Sequence, residues 1–245
     1  MRPSLAILPL GATEQHGPHL PPETDWLIAE AMAARTAAAL ADVECDVLPV
    51  ERVGYSPEHL AWPETRSLPY AEAIERWVGI GAALAERGQR RLMLLNAHGG
   101  NAPLLTIVAT ELRARHGTLC VATAWTRHGD PAALVGPNEK ALGIHAGRIE
   151  TSVMLALRPD LVAMDRAGDW PSLQAEHARR HALLRAYGPH AHGWLMEDLS
   201  PSGATGDAAG ATAELGERLI ADAVDGLAAL ASEIARWEPP WFTAG

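Results

Sequence analysis

A carboxylate and an imidazole stand two residues apart near the amino terminus, at Glu14 and His16 in the segment EQHGPH (14–19). In an extended loop, residues two apart point to the same side of the backbone, so these side chains can face one ligand. Asp25 follows at the predicted start of a helix. Carboxylates and imidazoles suit Zn, Mn or Fe. The alternative is a loop stabilised by polar side chains, with Asp25 only capping its helix.

A second candidate is His98 in the segment NAHGGN (96–101), between a predicted strand and a predicted helix. Gly99 and Gly100 allow the backbone to approach a ligand or to adopt a positive φ. A plain strand-to-helix turn would also explain this segment.

The third candidate is Glu150 in HAGRIETS (145–152). If a helix begins near Gly147, Glu150 lies in its first turn, where the helix dipole favours an ionised carboxylate. Alternatively, Glu150 is a capping acid on a surface helix.

Together, the three segments offer five ligand side chains, namely Glu14, His16, Asp25, His98 and Glu150. A catalytic zinc ion takes about three ligands from the protein, so five suit two ions that share a bridging carboxylate. Such a pair polarises a carbonyl and activates water near neutral pH.

The elements that must position these residues alternate along the chain. Apolar runs predict strands at 5–10, 46–50, 92–95 and 119–124. Periodicity and end signals predict helices at about 25–40, 70–87, 103–116, 147–157 and 209–237. The alternation predicts a mainly parallel sheet covered on both faces. Ligand sites of such sheets lie at the carboxyl ends of strands, which two of the three segments follow.

The end signals are Thr24 as the N-cap of the first helix, Pro103 in the first turn of the third, and Gly88 and Gly117 as stops. Residues 165–207 are the least regular part of the chain. They form either a lid or oligomer contact, or a packed surface excursion.

Composition limits the function. The 245 residues favour one domain, 1–245, and the net charge of −10 without a Lys/Arg cluster argues against nucleic acid or anionic membranes as partners. The apolar run near the start is too short for a signal peptide, and none reaches membrane-spanning length. Cys45 and Cys120 are predicted to be reduced core thiols, so we expect a cytoplasmic protein.

The sequence resembles the creatininase (creatinine amidohydrolase) family over nearly its whole length. The segments that carry the resemblance are LPLGATEQHGPHLPPETD (8–25), GYSPEHLAWPETRSLP (54–69), NAHGGN (96–101) and HAGRIETS (145–152). The first is the most specific, because Glu-x-His-Gly-x-His-Leu-Pro followed by Thr-Asp rarely arises by chance.

The resemblance implies a three-layer α/β/α sandwich with two divalent ions per chain and a homohexamer. It implies that Glu14 and His98 bind one ion and His16 the other, that Asp25 bridges, and that His145 shuttles a proton to the leaving nitrogen. In creatininase proper the remaining glutamate ligand stands where this chain has Gly100. Glycine cannot ligate, so we assign that role to Glu150, which is therefore expected to be both a ligand and part of the catalytic machinery.

The same departure argues against creatinine as the substrate. Relatives with His-Gly-Gly-Asn act on formamides or trim a modified peptide, so the expected reaction is the hydrolysis of a C–N bond in a small amide, formamide or cyclic amide. Gly99 and Gly100 would contact the substrate and stabilise its oxyanion. His59 and Trp62, in the loop after the second strand, are further expected contacts, although ordinary packing explains Trp62 equally well.

Other functions stay open. The same site could cleave a lactone or a C–C bond of a cyclic diketone, or trim a peptide. A non-catalytic metal-binding subunit is less consistent with a ligand set beside a proton donor. A nucleotide-binding protein is disfavoured, because no Walker lysine follows the Gly-Gly pair.

The remaining polar and aromatic residues are expected to be structural. Asn96 and Asn101 would fix their loop through hydrogen bonds, and His19 is more typical of a structural loop. Glu58 could line the pocket. Trp125 and Trp194 are expected in the core or an interface, and His177, His181, His190 and His192 on a helix surface.

Overall fold

Four parallel strands form the main sheet of the protein. The structure, a computed structural model, describes residues 3–242. The strands are β1 (Ser4–Leu10), β2 (Glu44–Val47), β3 (Arg91–Asn96) and β4 (Leu119–Ala124). Their order is β2-β1-β3-β4, and each neighbouring pair is parallel, as predicted.

Helices connect and cover the strands. They are α1 (Thr24–Ala39), α2 (Tyr70–Glu86), α3 (Ala102–His116), α4 (Pro131–Val135), α5 (Pro137–Leu142), α6 (Arg148–Leu157), α7 (Gln174–Arg180), α8 (Met196–Leu199) and α9 (Ala213–Arg236). Single 3₁₀ turns lie at Pro57–His59, Gly99–Asn101, Trp125–Arg127, Pro159–Leu161, Met164–Arg166, Ala208–Gly210 and Pro240–Phe242.

The alternation of side chains along the strands builds two separate cores. Leu5 and Ile7 pack on one face of the sheet, in a cluster that includes residues of α1, α6 and α9. Ala6 and Leu8 pack on the other face, with residues of α2 and α3. Because neighbouring residues of a strand point to opposite faces, an almost wholly apolar strand serves both cores. The result is the predicted three-layer α/β/α sandwich.

The predicted bounds of the second strand, 46–50, are wrong. The strand occupies residues 44–47, because Pro49 has no N–H group with which to continue the ladder. The chain still runs alongside β1, since Leu48 N donates to Ile7 O at 2.9 Å and Glu51 N donates to Pro9 O at 3.0 Å.

Helix ends agree with the sequence in part. Gly117 has a φ of 61° and ends α3, as predicted. Thr24, predicted as the N-cap of α1, is instead its first residue, and its hydroxyl donates to Pro21 O at 2.7 Å. The last helix begins at Ala213 rather than near residue 209, because Thr212 caps it by accepting the N–H of Leu215 at 3.1 Å.

The region 165–207 folds back over the carboxyl edge of the sheet. Its ends pair as two short antiparallel strands, β5 (Asp169–Trp170) and β6 (Gly206–Asp207). Between them, Ala186, Met196 and Leu199 form a small fully buried cluster. The region therefore has a core of its own beside the candidate site.

Within residues 3–242, no helix combines the length and apolarity needed to cross a membrane. The amino-terminal segment that we judged too short for a signal peptide begins with Met1 and Arg2, and these two residues lie outside the described residues.

The strand order places a crevice between β1 and β3. From β1 the chain passes through α1 to β2 on one side, and then through α2 to β3 on the other side of β1. Loops that leave such a switch point diverge, which makes its carboxyl edge the usual ligand site of open α/β sheets. Leu10 and Asn96 are partners in register at this edge, so the loops after β1 and β3 start side by side.

Candidate metal centre

Four of the five predicted ligands meet at the carboxyl edge of β1 and β3. His98 Nδ1 lies 3.2 Å from Glu14 Oε1 and 3.3 Å from Asp25 Oδ2. The other oxygen of Asp25, Oδ1, lies 3.1 Å from His16 Nε2. Asp25 thus stands between two imidazoles with one oxygen toward each, which is the arrangement expected of a bridging carboxylate. All four side chains are buried.

Backbone carbonyls orient the two imidazoles. The Nδ1–H of His16 donates to Glu14 O at 2.9 Å, and the Nε2–H of His98 donates to Tyr55 O at 2.8 Å. Each ring therefore presents its other nitrogen, Nε2 of His16 and Nδ1 of His98, to the carboxylates. Hydrogen bonds of this kind fix the tautomer and the direction of metal-binding histidines.

The buried carboxylates require positive charge. Burial alone would raise the pKa of Glu14, but the charge of His98 holds it well below its usual range. Burial would lower the pKa of His16, but Asp25 raises it to about 10, and Glu14 and Asp25 raise the pKa of His98 well above its ordinary value in the same way. Without metal, protons on the two imidazoles supply the charge that buried anions need.

One carboxylate oxygen has no hydrogen-bond donor. Glu14 Oε2 is buried and accepts no hydrogen bond from the described part of the chain. Leaving such an atom unsatisfied is costly, and a divalent ion satisfies it. Oxygen and nitrogen donors of this set suit Zn, Mn or Fe, so the residues present fit a metal centre.

Glu150 reaches the same centre from the start of α6. A ligand atom of Glu150 lies within 4.8 Å of ligand atoms of His16 and His145. Its Oε2 also accepts the N–H of Ala146 at 2.6 Å, and Ala146 has a φ of 52°, which is unusual for a residue other than glycine. Glu150 thus lies close to His16 and His145 and also contacts the turn before its helix, so a ligand role and a capping role are compatible.

The surroundings of Glu150 act against its ionisation in the metal-free protein. Burial raises the pKa of Glu150 to about 7, although the nearby His16 acts in the opposite direction. The desolvation of the carboxylate therefore outweighs the helix dipole, which contributes about 1 kcal/mol near a helix terminus.

His145 lies in the middle of a stack of three imidazole rings. Its ring centroid is 4.3 Å from that of His16 and 4.3 Å from that of His59. Burial, and then the charge of His16, hold the pKa of His145 well below its ordinary value. His145 is therefore neutral at physiological pH.

Gln15 is a positioning residue that the sequence did not single out. Its buried amide Nε2 donates to His59 Nδ1 at 2.9 Å and to Gly203 O at 2.8 Å. Its Oε1 accepts the N–H of Gly17 at 2.8 Å. Since His59 accepts at Nδ1, its Nε2 carries the proton and points to Glu14 Oε1 at 3.4 Å. Gln15 thus orients a histidine of the centre from the loop that carries the ligands.

A cavity of about 340 Å³ opens onto the ligands. His59, Gly99 and Gly100 line it, as expected of substrate contacts. Burial lowers the pKa of His59 to about 4, so this contact is neutral. Glu58 also lines the cavity, and burial raises its pKa.

The aromatic wall of the cavity differs from the one predicted. Trp62, the expected wall, packs against the cluster of Ala186, Met196 and Leu199 and is not among the lining residues. Of the two roles predicted for Trp62, the structure therefore shows ordinary packing. Tyr187 and Trp194 form the wall instead. Trp194 was expected in the core or an interface, and neither residue has a nearby motif that marks it in the sequence.

Asn96 and Asn101 hold the loop after β3, as predicted. Asn96 Nδ2 donates to His98 O at 2.6 Å, and its Oδ1 accepts the N–H of His98 at 3.2 Å. Asn101 Nδ2 donates to Gly11 O at 3.1 Å, which ties this loop to the end of β1. Neither Gly99 nor Gly100 has a positive φ, so neither is required for an unusual backbone conformation.

The other residues named from the sequence have structural surroundings. His19 is buried, and its Nε2 lies 2.8 Å from Thr151 Oγ1. Trp125 is buried in the core. Cys45 and Cys120 are partly buried free thiols, and burial raises their pKa to about 11 and about 12.

The histidines of the region 165–207 do not form a second metal site. His177 has its ring 6.3 Å from that of His181 and 5.5 Å from that of His192. In residues 3–242, the groups of side chains close enough to share an ion include none of these three or His190.

A buried set of paired carboxylates and imidazoles at the switch point of an α/β/α sandwich defines a metal-dependent hydrolase. The chain belongs to the creatininase family, because the family model described as creatininase, creatinine amidohydrolase, matches residues 1–231. The amidohydrolases and peptidases of this family hydrolyse C–N bonds, and this chain is a metal-dependent enzyme of that class.

Three curated relatives illustrate the range of the family. The chain is 35% identical to a mycofactocin precursor peptide peptidase of Mycolicibacterium smegmatis over 96% of this chain and 86% of the relative. It is 35% identical to creatinine amidohydrolase of Pseudomonas putida over 67% of this chain and 68% of that protein. It is 27% identical to 3-dehydro-scyllo-inosose hydrolase of Thermotoga maritima over 94% and 77%.

Solved creatininase structures share the fold. A crystal structure of creatinine amidohydrolase (creatininase) superposes with a TM-score of 0.78 at 27% identity and covers 96% of this chain and 92% of that one. A manganese form and a mutant of Zn-Zn type each match with a TM-score of 0.77 at the same identity and coverage. The neighbours are thus Mn and Zn enzymes, in keeping with the clustered ligands of this chain.

Proposed function

We propose that this enzyme holds two divalent ions and hydrolyses a C–N bond in a small amide, formamide or cyclic amide. One ion would lie among Glu14, His98 and Asp25, and the other among His16, Asp25 and Glu150. The observation that supports this arrangement best is Asp25, whose two oxygens lie 3.1 Å from His16 Nε2 and 3.3 Å from His98 Nδ1. Such ions would polarise the substrate carbonyl and lower the pKa of water.

The chain itself supplies orientation and proton transfer. His145 is neutral and directs Nδ1 toward Glu14 Oε1 at 3.8 Å, on the side of the predicted ligands. From there Nδ1 would take a proton from the attacking water and pass it to the departing nitrogen. Gly99 and Gly100 line the cavity. Their backbone N–H groups would stabilise the developing oxyanion.

The cavity favours an amide with an apolar or planar group beside the carbonyl. Ile144, Tyr187 and Trp194 line the cavity and give it apolar and aromatic surface. A second candidate substrate is a modified peptide, because the relatives that match most of this chain at 34–35% identity are named mycofactocin precursor peptide peptidases. Hydrolysis of a lactone, or of a C–C bond in a cyclic diketone, is a further alternative for the same site.

Metal content and substrate screening test the proposed function. Mass spectrometry of the purified protein should give about two ions per chain, and Glu150→Ala should retain about one. A panel of formamides, cyclic ureas, small amides and short peptides should contain a substrate whose hydrolysis stops with a chelator and resumes with Mn or Zn. Fewer than two ions in the wild type, or no effect of Glu150→Ala, would contradict the proposed ligand set.

The molecular context follows from the family resemblance and the composition. We propose a single domain that acts in the cytoplasm as a homohexamer, with Zn, Mn or Fe as its ions. Light scattering should then give six times the 26.1 kDa of one chain. A non-catalytic metal-binding subunit would bind the ions equally well, but it would hydrolyse none of the panel.

A further inference from the structure

Gly100 leaves a space beside the metal centre that another loop fills. A Cβ atom added at Gly100 would lie 2.6 Å from Glu58 Oε1, and closer still to Tyr55 O and His98 Nε2. Since Tyr55 O belongs to the backbone, a side chain at position 100 would displace the whole loop. At Gly99, in contrast, an added Cβ would meet nothing within 4 Å. Of the two glycines, only Gly100 is therefore needed for the loop of Tyr55 and Glu58 to come this close to His98.

The loop that enters the space is fixed on both sides. Tyr55 N donates to Asn101 Oδ1 at 2.9 Å, and Tyr55 O accepts the Nε2–H of His98 at 2.8 Å. Ser56 N donates to Ser67 Oγ at 2.9 Å. The 3₁₀ turn Pro57–His59 follows at once and carries Glu58. These contacts tie the position of Glu58 to that of His98.

The carboxylate of Glu58 faces two of the predicted ligands. A ligand atom from each of Glu14, Glu58 and His98 lies within 4.8 Å of the other two. Glu58 also lines the cavity, together with Glu14 and His98. Close by, Glu14 Oε2 is buried and accepts no hydrogen bond from the described residues. A cation between Glu58 and Glu14 would satisfy that oxygen and offset the repulsion between the two carboxylates.

We propose that Glu58 is a carboxylate ligand of the divalent ion held by Glu14 and His98. This inference rests on the two-ion site of the proposed function and extends it. Glu150 serves the ion on the His16 side, and Glu58 serves the ion on the His98 side. Each ion thus receives a carboxylate from outside the segment 96–101.

Metal titration of matched variants tests the role of Glu58. Metal-free wild type, Glu58→Gln and Glu64→Gln are titrated with Zn²⁺ against a chromophoric chelator, which gives the number of ions and each dissociation constant. Glu64 is exposed in the same loop, so Glu64→Gln is the control for the loss of one charge. We expect Glu58→Gln to weaken one ion at least tenfold and leave the other unchanged, whereas Glu64→Gln binds as the wild type does.

A shorter carboxylate separates ligation from folding. Glu58→Asp retains the negative charge on a side chain that is one methylene shorter. This variant should therefore bind the affected ion more tightly than Glu58→Gln does and more weakly than the wild type does. Circular dichroism of the metal-free proteins shows whether each variant is folded. If Glu58→Gln is folded and binds both ions with wild-type constants, Glu58 is not a ligand.

The two hypotheses fail in distinguishable ways. If the wild type binds two ions and Glu58→Gln changes neither, the role of Glu58 is overturned and the two-ion site stands. If the wild type binds one ion, which Glu58→Gln weakens, the two-ion site fails and the ligation by Glu58 stands. A wild type that binds no ion overturns both.

Discussion

His145 Nε2 lies 2.8 Å from the backbone carbonyl oxygen of Gln15. Since a carbonyl only accepts, this nitrogen carries the proton of the neutral ring, and Nδ1 is left with its lone pair. Nδ1 lies 3.8 Å from Glu14 Oε1, on the side of the metal centre. Gln15 belongs to the same loop as Glu14 and His16, so the loop that supplies ligands also sets the tautomer of the proposed proton carrier.

Replacement of His145 should separate proton transfer from metal binding. His145→Ala is expected to retain its ions and to lower kcat by about 100-fold or more, the usual contribution of a general acid–base group. The measurements are metal content and turnover of a substrate found in the screen. His190→Ala, at an exposed position, is the control. Loss of metal from His145→Ala would make His145 a ligand and contradict the role assigned to it.

Alanine at the two neighbouring glycines should have unequal effects on stability. Gly100→Ala forces a Cβ against Tyr55 O, so we expect the free energy of unfolding to fall by about 1–3 kcal/mol. Gly99→Ala meets no atom within 4 Å and should change it by less than about 1 kcal/mol. Urea unfolding of both metal-free variants measures the difference. Equal effects would show that a Cβ atom at position 100 does not displace the loop that carries Tyr55.

Metal uptake should release protons. The pKa of His16 is raised to about 10 and that of His98 well above its ordinary value, so both imidazoles are protonated in the metal-free protein at pH 7.5. Ligand nitrogens must lose their protons to bind a metal, so at least two protons per chain should leave when both ions bind. Calorimetry in buffers of different ionisation enthalpy counts them. Heats that do not depend on the buffer would contradict the protonation of these imidazoles in the metal-free protein.

The ligands on the loops after β1 and β3 could be predicted because the argument for them is topological. Adjacent parallel strands end at one edge of the sheet, so Glu14 and His98 had to be neighbours once β1 and β3 were identified. No comparable rule places Glu58. Its position depends on hydrogen bonds of the 54–59 loop with Asn101 and His98, which link residues more than 40 positions apart.

For the same reason, the sequence did not predict which tryptophan lines the cavity. Trp62 and Trp194 are equally apolar, and both lie in irregular segments, so their types and spacing do not say which one faces the substrate cavity. The fold of the region 165–207 decides it, by placing Trp194 at the cavity while Trp62 covers the cluster of Ala186, Met196 and Leu199. Packing of an irregular segment depends on contacts that a local pattern does not encode.

The pKa of His19 should make the protein less stable in mild acid. Burial, and then the charge of His16, lower this pKa to about 4 from 6.5. Between pH 6.5 and pH 4 the unfolded chain binds a proton at His19 that the folded chain does not. The free energy of unfolding is therefore highest above pH 6.5 and falls as the pH drops through this window, by at most about 1.4 kcal/mol per pH unit from this group.

A glutamine at position 19 should remove this contribution. It retains a nitrogen near Thr151 Oγ1, which His19 Nε2 now contacts at 2.8 Å, but it does not titrate. Between pH 7 and pH 5, the wild type should lose about 1–2 kcal/mol more of its free energy of unfolding than His19→Gln does. Urea unfolding at the two pH values measures this, and the difference between the two proteins cancels the titration of groups that they share. Equal losses would mean that His19 is protonated in the folded protein, because its ring would then take up a proton in both states.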